Sequence, residues 1–316
     1  VDLKQIESFV RVAELGSFTR AAASLGMPQP LLSRHVRQLE VELRQTFLWR
    51  NGRGVTLTEA GAVLLAHGRG ILHQVAVARE ELGAVRGALA GHVSIGLPPS
   101  LSRLVAVPLT RAFRQQLPNA QLTLTEGFSV TLNDSLRSGR LDISLLYNVL
   151  PTPELEVQLL HREALVLISS SASLAQHPLA TPARLKSRIE LVDAAKLLLI
   201  LPSRPNAFRI LIDTELQRLG CTPDIVMEVD GLNAILDLVR EGLGFAVLPP
   251  YTLSNLVQPH PFSVHSLHSP KLMSELTLVT SARRPSTETH KKLVALVSEV
   301  IQQSLSVKMC SGDVVQ

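Results

Sequence analysis

Gln29, Ser33, Arg34 and Arg37 lie within nine residues of one another and interleave with Leu32, Val36, Leu39 and Leu43. The leucines and valine are spaced by four, three and four, one face of a helix at the 3.6-residue period. That leaves the amide, hydroxyl and guanidinium groups on the other faces. Glutamine pairs with an adenine edge, arginine with guanine or with phosphate, and serine with either. The chemistry this set can perform is hydrogen-bonded reading of a DNA major groove.

Such side chains need a scaffold, and residues 17–39 supply it as two short helices around a tight turn. Ser17 can cap the first by accepting from free N–H groups, and Ala21 to Ala23 favour helix and close packing. Gly26 suits a left-handed helix end, and Pro28 and Pro30 fit only in or before a first turn. Ser17, Thr19 and Pro30 therefore join the candidate DNA-facing set. A preceding helix over 2–15 buries Leu3, Ile6, Val10 and Ala13 and closes at Gly16. After the second helix, 47–50 and 55–57 are short apolar runs around Asn51-Gly52-Arg53-Gly54, a β-hairpin pattern. Arg50 and Arg53 are placed on this wing to meet phosphate, which gives affinity without reading sequence. Three helices and a wing make a winged helix-turn-helix over 1–58.

Catalysis finds no comparable constellation. GxGxxG, GxxxxGK[ST] and GxSxG are all absent. His260, His265 and His268, with prolines around the first, share no strand face, so no metal site and no cofactor is expected. His67 and His73 lie six apart and read as surface positions. Cys221 and Cys310 have no CxxC spacing, which fits a reducing cytoplasm. Asp2, Lys4 and Glu7 interrupt any apolar start, so no signal peptide is expected, and no run reaches the ~18 apolar residues of a membrane span. The net charge is +4, of which residues 1–90 carry +3, with 11 Lys+Arg against 8 Asp+Glu. A modest basic bias thus sits where nucleic acid is expected.

Thr58 can cap a long helix running to about Leu89. Leu64, Gly68, Ile71, Val75, Ala78, Leu82, Val85 and Leu89 alternate steps of four and three. A 3.5-residue repeat held that long makes a coiled-coil seam, so 59–91 reads as a dimerisation linker ending in a hinge at Gly87, Ala88, Ala90 and Gly91. From His92 the pattern changes to apolar strands (93–97, 121–126, 141–146, 165–169, 197–201, 225–229, 245–248, 276–280) alternating with helices (104–116, 132–138, 207–219, 232–241, 287–304). Continuous apolar strands between helices predict an α/β domain with a parallel sheet covered on both faces. Ligands of such sheets sit at strand carboxyl ends, against helix starts. That nominates Ser100 and Ser102, Ser129 and Thr131, and Ser203, Arg204 and Asn206 as effector-binding residues. Their hydroxyls and the one arginine favour a small anion, a carboxylate or an inorganic oxyanion.

Residues 2–61 resemble the DNA-binding domain of LysR-type transcriptional regulators, through DLKQIESFVRVAELGSFTRAAASLGMPQPLLSRHVRQLE and NGRGVTLTEAG. The rest resembles that family's effector domain through GHVSIGL, LPNAQLTLTEG, LRSGRLDISLL and VREGLGFAVLP, in the expected order, up to about residue 304. VSIGLPPS and LNDSLRSGRLDISLLYN look closest to the nitrogen assimilation control branch. The resemblance implies a regulator that binds promoter DNA as a homodimer or homotetramer and responds to a small molecule, with RNA polymerase a candidate partner. It also implies two α/β subdomains like those of type II periplasmic binding proteins, joined by two crossover strands. On this chain they would span 92–161 plus 268–304, and 162–267, with a flexible tail over 305–316. Four positions depart from the family pattern: Pro28 for a capping serine, Leu31 for alanine, Arg44 for glycine before the wing, and Trp49 for an acidic residue.

Overall fold

The computed structural model describes residues 1–51, 54–84, 90–176, 187–253, 260–282 and 288–310. Three helices open the chain: α1 (Leu3–Leu15), α2 (Phe18–Leu25) and α3 (Gln29–Leu43). Asp2 and Gln5 form a reciprocal capping box at the start of α1, and Gly16 ends it at φ 60°. Ser17 caps α2 by accepting from the Arg20 N–H at 3.3 Å. At Pro28 no side chain caps α3, as the missing serine implies, and α3 ends on Arg44 in the left-handed region at φ 52°. Phe9, Val12, Ala21, Leu32, Val36 and Leu39 are fully buried between the three helices. Burial of such side chains stabilises by about 1.5–3 kcal/mol each.

The wing is β1 (Leu48–Asn51) antiparallel to β2 (Gly54–Leu57), with Trp49 opposite Thr56 and Arg50 opposite Val55. The Val55 N–H donates to the Gly16 carbonyl at 3.0 Å, fixing the wing to the turn between α1 and α2. A Cβ on Gly54 (φ 136°) would stand 2.8 Å from that same carbonyl oxygen, so only glycine permits the approach.

Next comes α4 (Glu59–Ala84), whose start Thr58 caps through the Gly61 N–H at 2.9 Å. Its first half corrects the reading of an unbroken intermolecular seam. Leu65 is buried, Leu64 and Leu72 pack on the N-terminal core, and a Cβ on Gly68 would meet Val10 at 2.9 Å. Gly68 thus lets α4 lie against α1 of its own chain. Ile71 (41% exposed) and Leu82 (70%) remain open. Val85, Gly87, Ala88 and Leu89 lie outside the described residues. Ala90 and Gly91 are not a hinge but the first two residues of a strand, paired with Asn119 and Ala120. His73 is not an idle surface residue either. Its Nδ1 lies 3.4 Å from Asp142 Oδ1, while Asp142 Oδ2 accepts from the Ser94 N–H and hydroxyl at 2.8 and 2.7 Å.

The remainder forms two lobes. The first contains β3 (Ala90–Leu97), α5 (Pro99–Gln116), β4 (Asn119–Glu126), α6 (Ser129–Arg137), β5 (Ile143–Tyr147) and β6 (Leu155–Ala164). The second contains β7 (Val166–Ser170), α7 (Ser171–Gln176), β8 (Arg188–Glu190), α8 (Leu191–Ala194), β9 (Leu199–Leu201), α9 (Ala207–Arg218), β10 (Ile225–Glu228), α10 (Leu232–Arg240), β11 (Ala246–Leu248), a 3-10 turn at Pro250–Leu253 and β12 (Phe262–His268). The chain returns through β13 (Met273–Ser281) and α11 (Glu288–Cys310) to the first lobe. The five-stranded sheet runs β4-β3-β5-β13-β6, and the four-stranded sheet β11-β7-β12-β8, beside a parallel β9/β10 pair.

Neither large sheet is purely parallel, which corrects the sequence expectation. Strand β13 is antiparallel to β5 and β6, and β7 to β11 and β12. The chain crosses from one lobe to the other and back, and the strands flanking the two crossings pair antiparallel, β6 with β13 and β7 with β12. The crossings fall at Leu165 and between His268 and Met273, a few residues later than 161/162 and 267/268. Residues 305–310 continue α11, with Leu305 buried, rather than starting a flexible tail; 311–316 lie outside the described residues.

Candidate nucleic-acid interface and effector cleft

At the N-terminal end of α3, Gln29, Pro30, Arg34 and Arg37 are exposed and Ser33 is half-buried. Thr19 is exposed beside them at the start of α2, while Ser17 spends its hydroxyl on the cap. Arg50 does not project freely. Its guanidinium carbon lies 4.2 Å above the Phe18 ring and its Nη2 donates to Ser33 Oγ at 3.3 Å, so it ties the wing to the starts of α2 and α3. Arg53 lies outside the described residues. His35, on the same helix, hydrogen-bonds Ser8 of α1 through Nδ1 at 2.9 Å.

Between the lobes lies a cavity of about 40 Å³. Four helices begin at its wall: Pro98 and Pro99 start α5, Phe128 and Ser129 start α6, Asn206 and Ala207 start α9, and Leu232 starts α10. Helices α5, α6 and α10 carry no side-chain cap, whereas Asn206 caps α9 by accepting from Phe208 and Arg209 N–H groups. Positive dipole ends therefore converge on one small space, although at α5 Pro99 has no N–H and the Leu101 and Ser102 N–H groups donate to the Pro98 carbonyl at 3.0 and 2.9 Å, which leaves at most that of Ser100.

Of the seven residues nominated from sequence, Ser100, Ser129 and Asn206 line this cavity. Four do not. The Ser102 hydroxyl is buried and donates to Glu126 Oε1 at 2.5 Å, because a neighbouring strand end supplies an acceptor on the far side. Thr131 is exposed on α6. Ser203 gives its N–H and hydroxyl to Asp230 Oδ1. Arg204 turns outward to Asp213, with Nη2 at 2.7 Å from Oδ2. Among the described residues no cationic side chain lines the cavity, and Asp230 does.

Sequence reading missed Tyr147, which lines the cavity, and Tyr251 behind it. Their hydroxyls hydrogen-bond each other across the cleft, and Tyr251 also donates to Ser100 Oγ at 3.3 Å. They are the chain's only tyrosines, a rarity that was the one available signal. Burial, reinforced by Tyr251 and Glu163, pushes the Tyr147 phenol well above its usual range, so both rings stay neutral. Glu163 on β6 is also buried, its Oε1 has no hydrogen-bond partner, and burial pushes its carboxyl up to about 8. At the cleft mouth Arg103 donates to Asn233 Oδ1 at 2.5 Å, a further polar link between lobes.

His265 bonds buried Ser169 at 2.8 Å and His268 meets Ser269. Among the described residues no group of three His, Cys, Asp or Glu is placed to hold a metal ion, and no helix is long and apolar enough to cross a membrane.

A winged helix-turn-helix, a long connecting helix and a two-lobed ligand-binding domain define a regulator that couples a small molecule to DNA. Residues 3–62 match the bacterial regulatory helix-turn-helix proteins of the lysR family, and residues 86–302 match the LysR substrate binding domain. The chain belongs to the LysR-type transcriptional regulators, which bind DNA and an effector and are not enzymes. It is 30% identical to the nitrogen assimilation regulatory protein nac of Klebsiella aerogenes, over 98% of this chain and all of that protein. Its counterpart in Escherichia coli (strain K12) is also 30% identical, over 90% of each. Among solved structures, full-length OxyR from Pseudomonas aeruginosa superposes with a TM-score of 0.72 at 22% identity, covering 96% of this chain and 95% of that one. Full-length CbnR complexed with its target DNA gives 0.64 at 21% identity, covering 96% of this chain and all of that one.

Proposed function

We propose that this regulator reads promoter DNA with Gln29, Pro30, Ser33, Arg34 and Arg37, and anchors on phosphate through Arg53 and the start of α2 at Ser17 and Thr19. Arg50 acts in this reading by holding the wing against α3. The chain works in the cytoplasm as a homodimer or homotetramer joined through the open part of α4, with RNA polymerase as a further partner at the promoter. The cleft takes a small anion, a carboxylate or inorganic oxyanion, held by Ser100, Ser129, Asn206 and Tyr147. The observation that carries the ligand class is the convergence of three uncapped helix N-termini on the cavity. Backbone N–H groups then do what Arg204 was expected to do.

The test is a thermal-unfolding screen of the full chain against sulfate, nitrate, phosphate and short mono- and dicarboxylates. A binding anion raises Tm by mass action, and Ser129→Ala diminishes the rise. If no anion stabilises the wild type, or Ser129→Ala responds equally, the ligand assignment fails. For the DNA assignment, Gln29→Ala loses operator preference, while Arg53→Ala weakens all sequences alike and flattens the salt dependence. An unchanged ratio of operator to random-DNA affinity in Gln29→Ala overturns the first of these.

A further inference from the structure

The first turn of α3 is apolar as well as uncapped. Pro28, Pro30 and Leu31 are all exposed, Leu31 to 42%. Neither proline has an N–H, and the N–H groups of Leu31 and Leu32 both donate to the Pro28 carbonyl, at 3.1 and 3.2 Å. At most the Gln29 N–H is left for phosphate, so this helix start is poorly equipped for the backbone anchoring that such ends commonly provide. What it offers outward is hydrocarbon. Leu31 is one turn before exposed Arg34 and roughly a quarter-turn or more around the helix from buried Leu32, Val36 and Leu39. The major-groove floor carries a single kind of apolar group, the C5-methyl of thymine.

We propose that Leu31, flanked by Pro28 and Pro30, packs on a thymine methyl and fixes a thymine in each half-site. This rests on α3 entering the major groove. Leu31 is then a specificity-determining residue that reads DNA by burying hydrocarbon, beside Gln29 and Arg34, which read by hydrogen bonds. Because Leu31 is exposed and outside the N-terminal core, its replacement leaves the domain folded.

The experiment enriches operator duplexes from random-sequence DNA with the full-length wild-type chain. It then replaces each thymine of the enriched site, one at a time, by deoxyuridine, which deletes only the methyl. Wild type is expected to lose about three- to fivefold in affinity at one thymine per half-site, the effect of one buried methyl. Leu31→Ala is expected to bind the parent site more weakly and to be indifferent to deoxyuridine there, with Leu31→Met keeping the sensitivity. Equal sensitivity in wild type and Leu31→Ala overturns the proposal, as does a wild type indifferent to deoxyuridine everywhere. If Gln29→Ala and Arg34→Ala enrich the same sites as wild type, the major-groove reading of α3 itself fails, a distinct result.

Discussion

The phenols of Tyr147 and Tyr251 meet across the cleft, one at the end of β5 in the first lobe and the other in the turn after β11 in the second. With Ser100 they form a buried hydroxyl chain, and the Tyr147 ring packs on Phe208 with centroids 4.6 Å apart. The cavity that Tyr147 lines, with Tyr251 behind it, admits little more than a few waters, so any larger effector has to part them. Tyr147→Phe and Tyr251→Phe should each lower stability by about 1 kcal/mol, the net worth of one buried hydrogen bond. The double variant should cost less than the two singles together, since the bond can be lost only once. Urea unfolding of the four proteins measures this; strict additivity would mean the hydroxyls are not coupled.

Glu163 gives the fold a pH dependence of unusual sign. Its folded carboxyl titrates at about 8 because it is buried without a hydrogen-bond partner on Oε1. In the unfolded chain it titrates near its ordinary value, 4.5. Between those values the folded state holds a proton that the unfolded state lacks, so stability falls as pH rises. The stabilisation is complete below about 4.5, lost progressively up to about 8, and constant beyond. Glu163→Gln removes this contribution. The wild-type-minus-variant difference in unfolding free energy should therefore drop by up to about 1.4 kcal/mol per pH unit across that window. A difference flat with pH would show an ionised carboxylate that has found a partner.

Arg44 ends α3 at φ 52° where a glycine would be unstrained. Its exposed side chain is free to be removed without disturbing the core. Relief of left-handed strain outweighs the extra backbone entropy glycine brings to the unfolded chain. Arg44→Gly should accordingly raise stability by about 0.5–1 kcal/mol in urea unfolding, and a loss of stability would count against strain at this cap.

Much of this architecture was legible in the residues. The helices of the DNA-binding part follow from Leu32, Val36 and Leu39 at helical spacing and from Gly16 and Gly26 at their ends. Strand β5 follows from an unbroken apolar run. Strand β6 was invisible because Glu156, Gln158, Leu159 and Glu163 interrupt its pattern, and its partner β13 lies more than a hundred residues away. Strand β12 was hidden by His265 and His268, which the fold satisfies individually. In the cleft, sequence located the helix starts and so the wall, but a hydroxyl's direction depends on its tertiary acceptor. Ser102 found Glu126, Ser203 found Asp230, and Arg204 found Asp213. Tyr147 and Tyr251, 104 positions apart, could be joined only by folding.

The last expectation concerns how two copies meet. Within one chain, α4 divides its apolar residues between two jobs. Leu65 and Gly68 face α1, while Ile71 and Leu82 stay exposed among the described residues. Two exposed large aliphatics eleven positions apart, with Val75 half-buried between them, repeat at the spacing of a helix–helix seam. Pairing α4 with the α4 of a second copy would cover them and set the separation of the two recognition helices. Aspartate at both positions would bury unpaired charge in that seam, at a cost of several kcal/mol, without touching the N-terminal core. The Ile71→Asp, Leu82→Asp double variant should thus scatter light as a species of half the wild-type mass or less. It should bind a two-half-site operator far more weakly while keeping wild-type affinity for a single half-site. Unchanged mass in the double variant would move the interface to the effector lobes, and equal loss on single and double sites would instead mean that α4 supports its own DNA-binding domain.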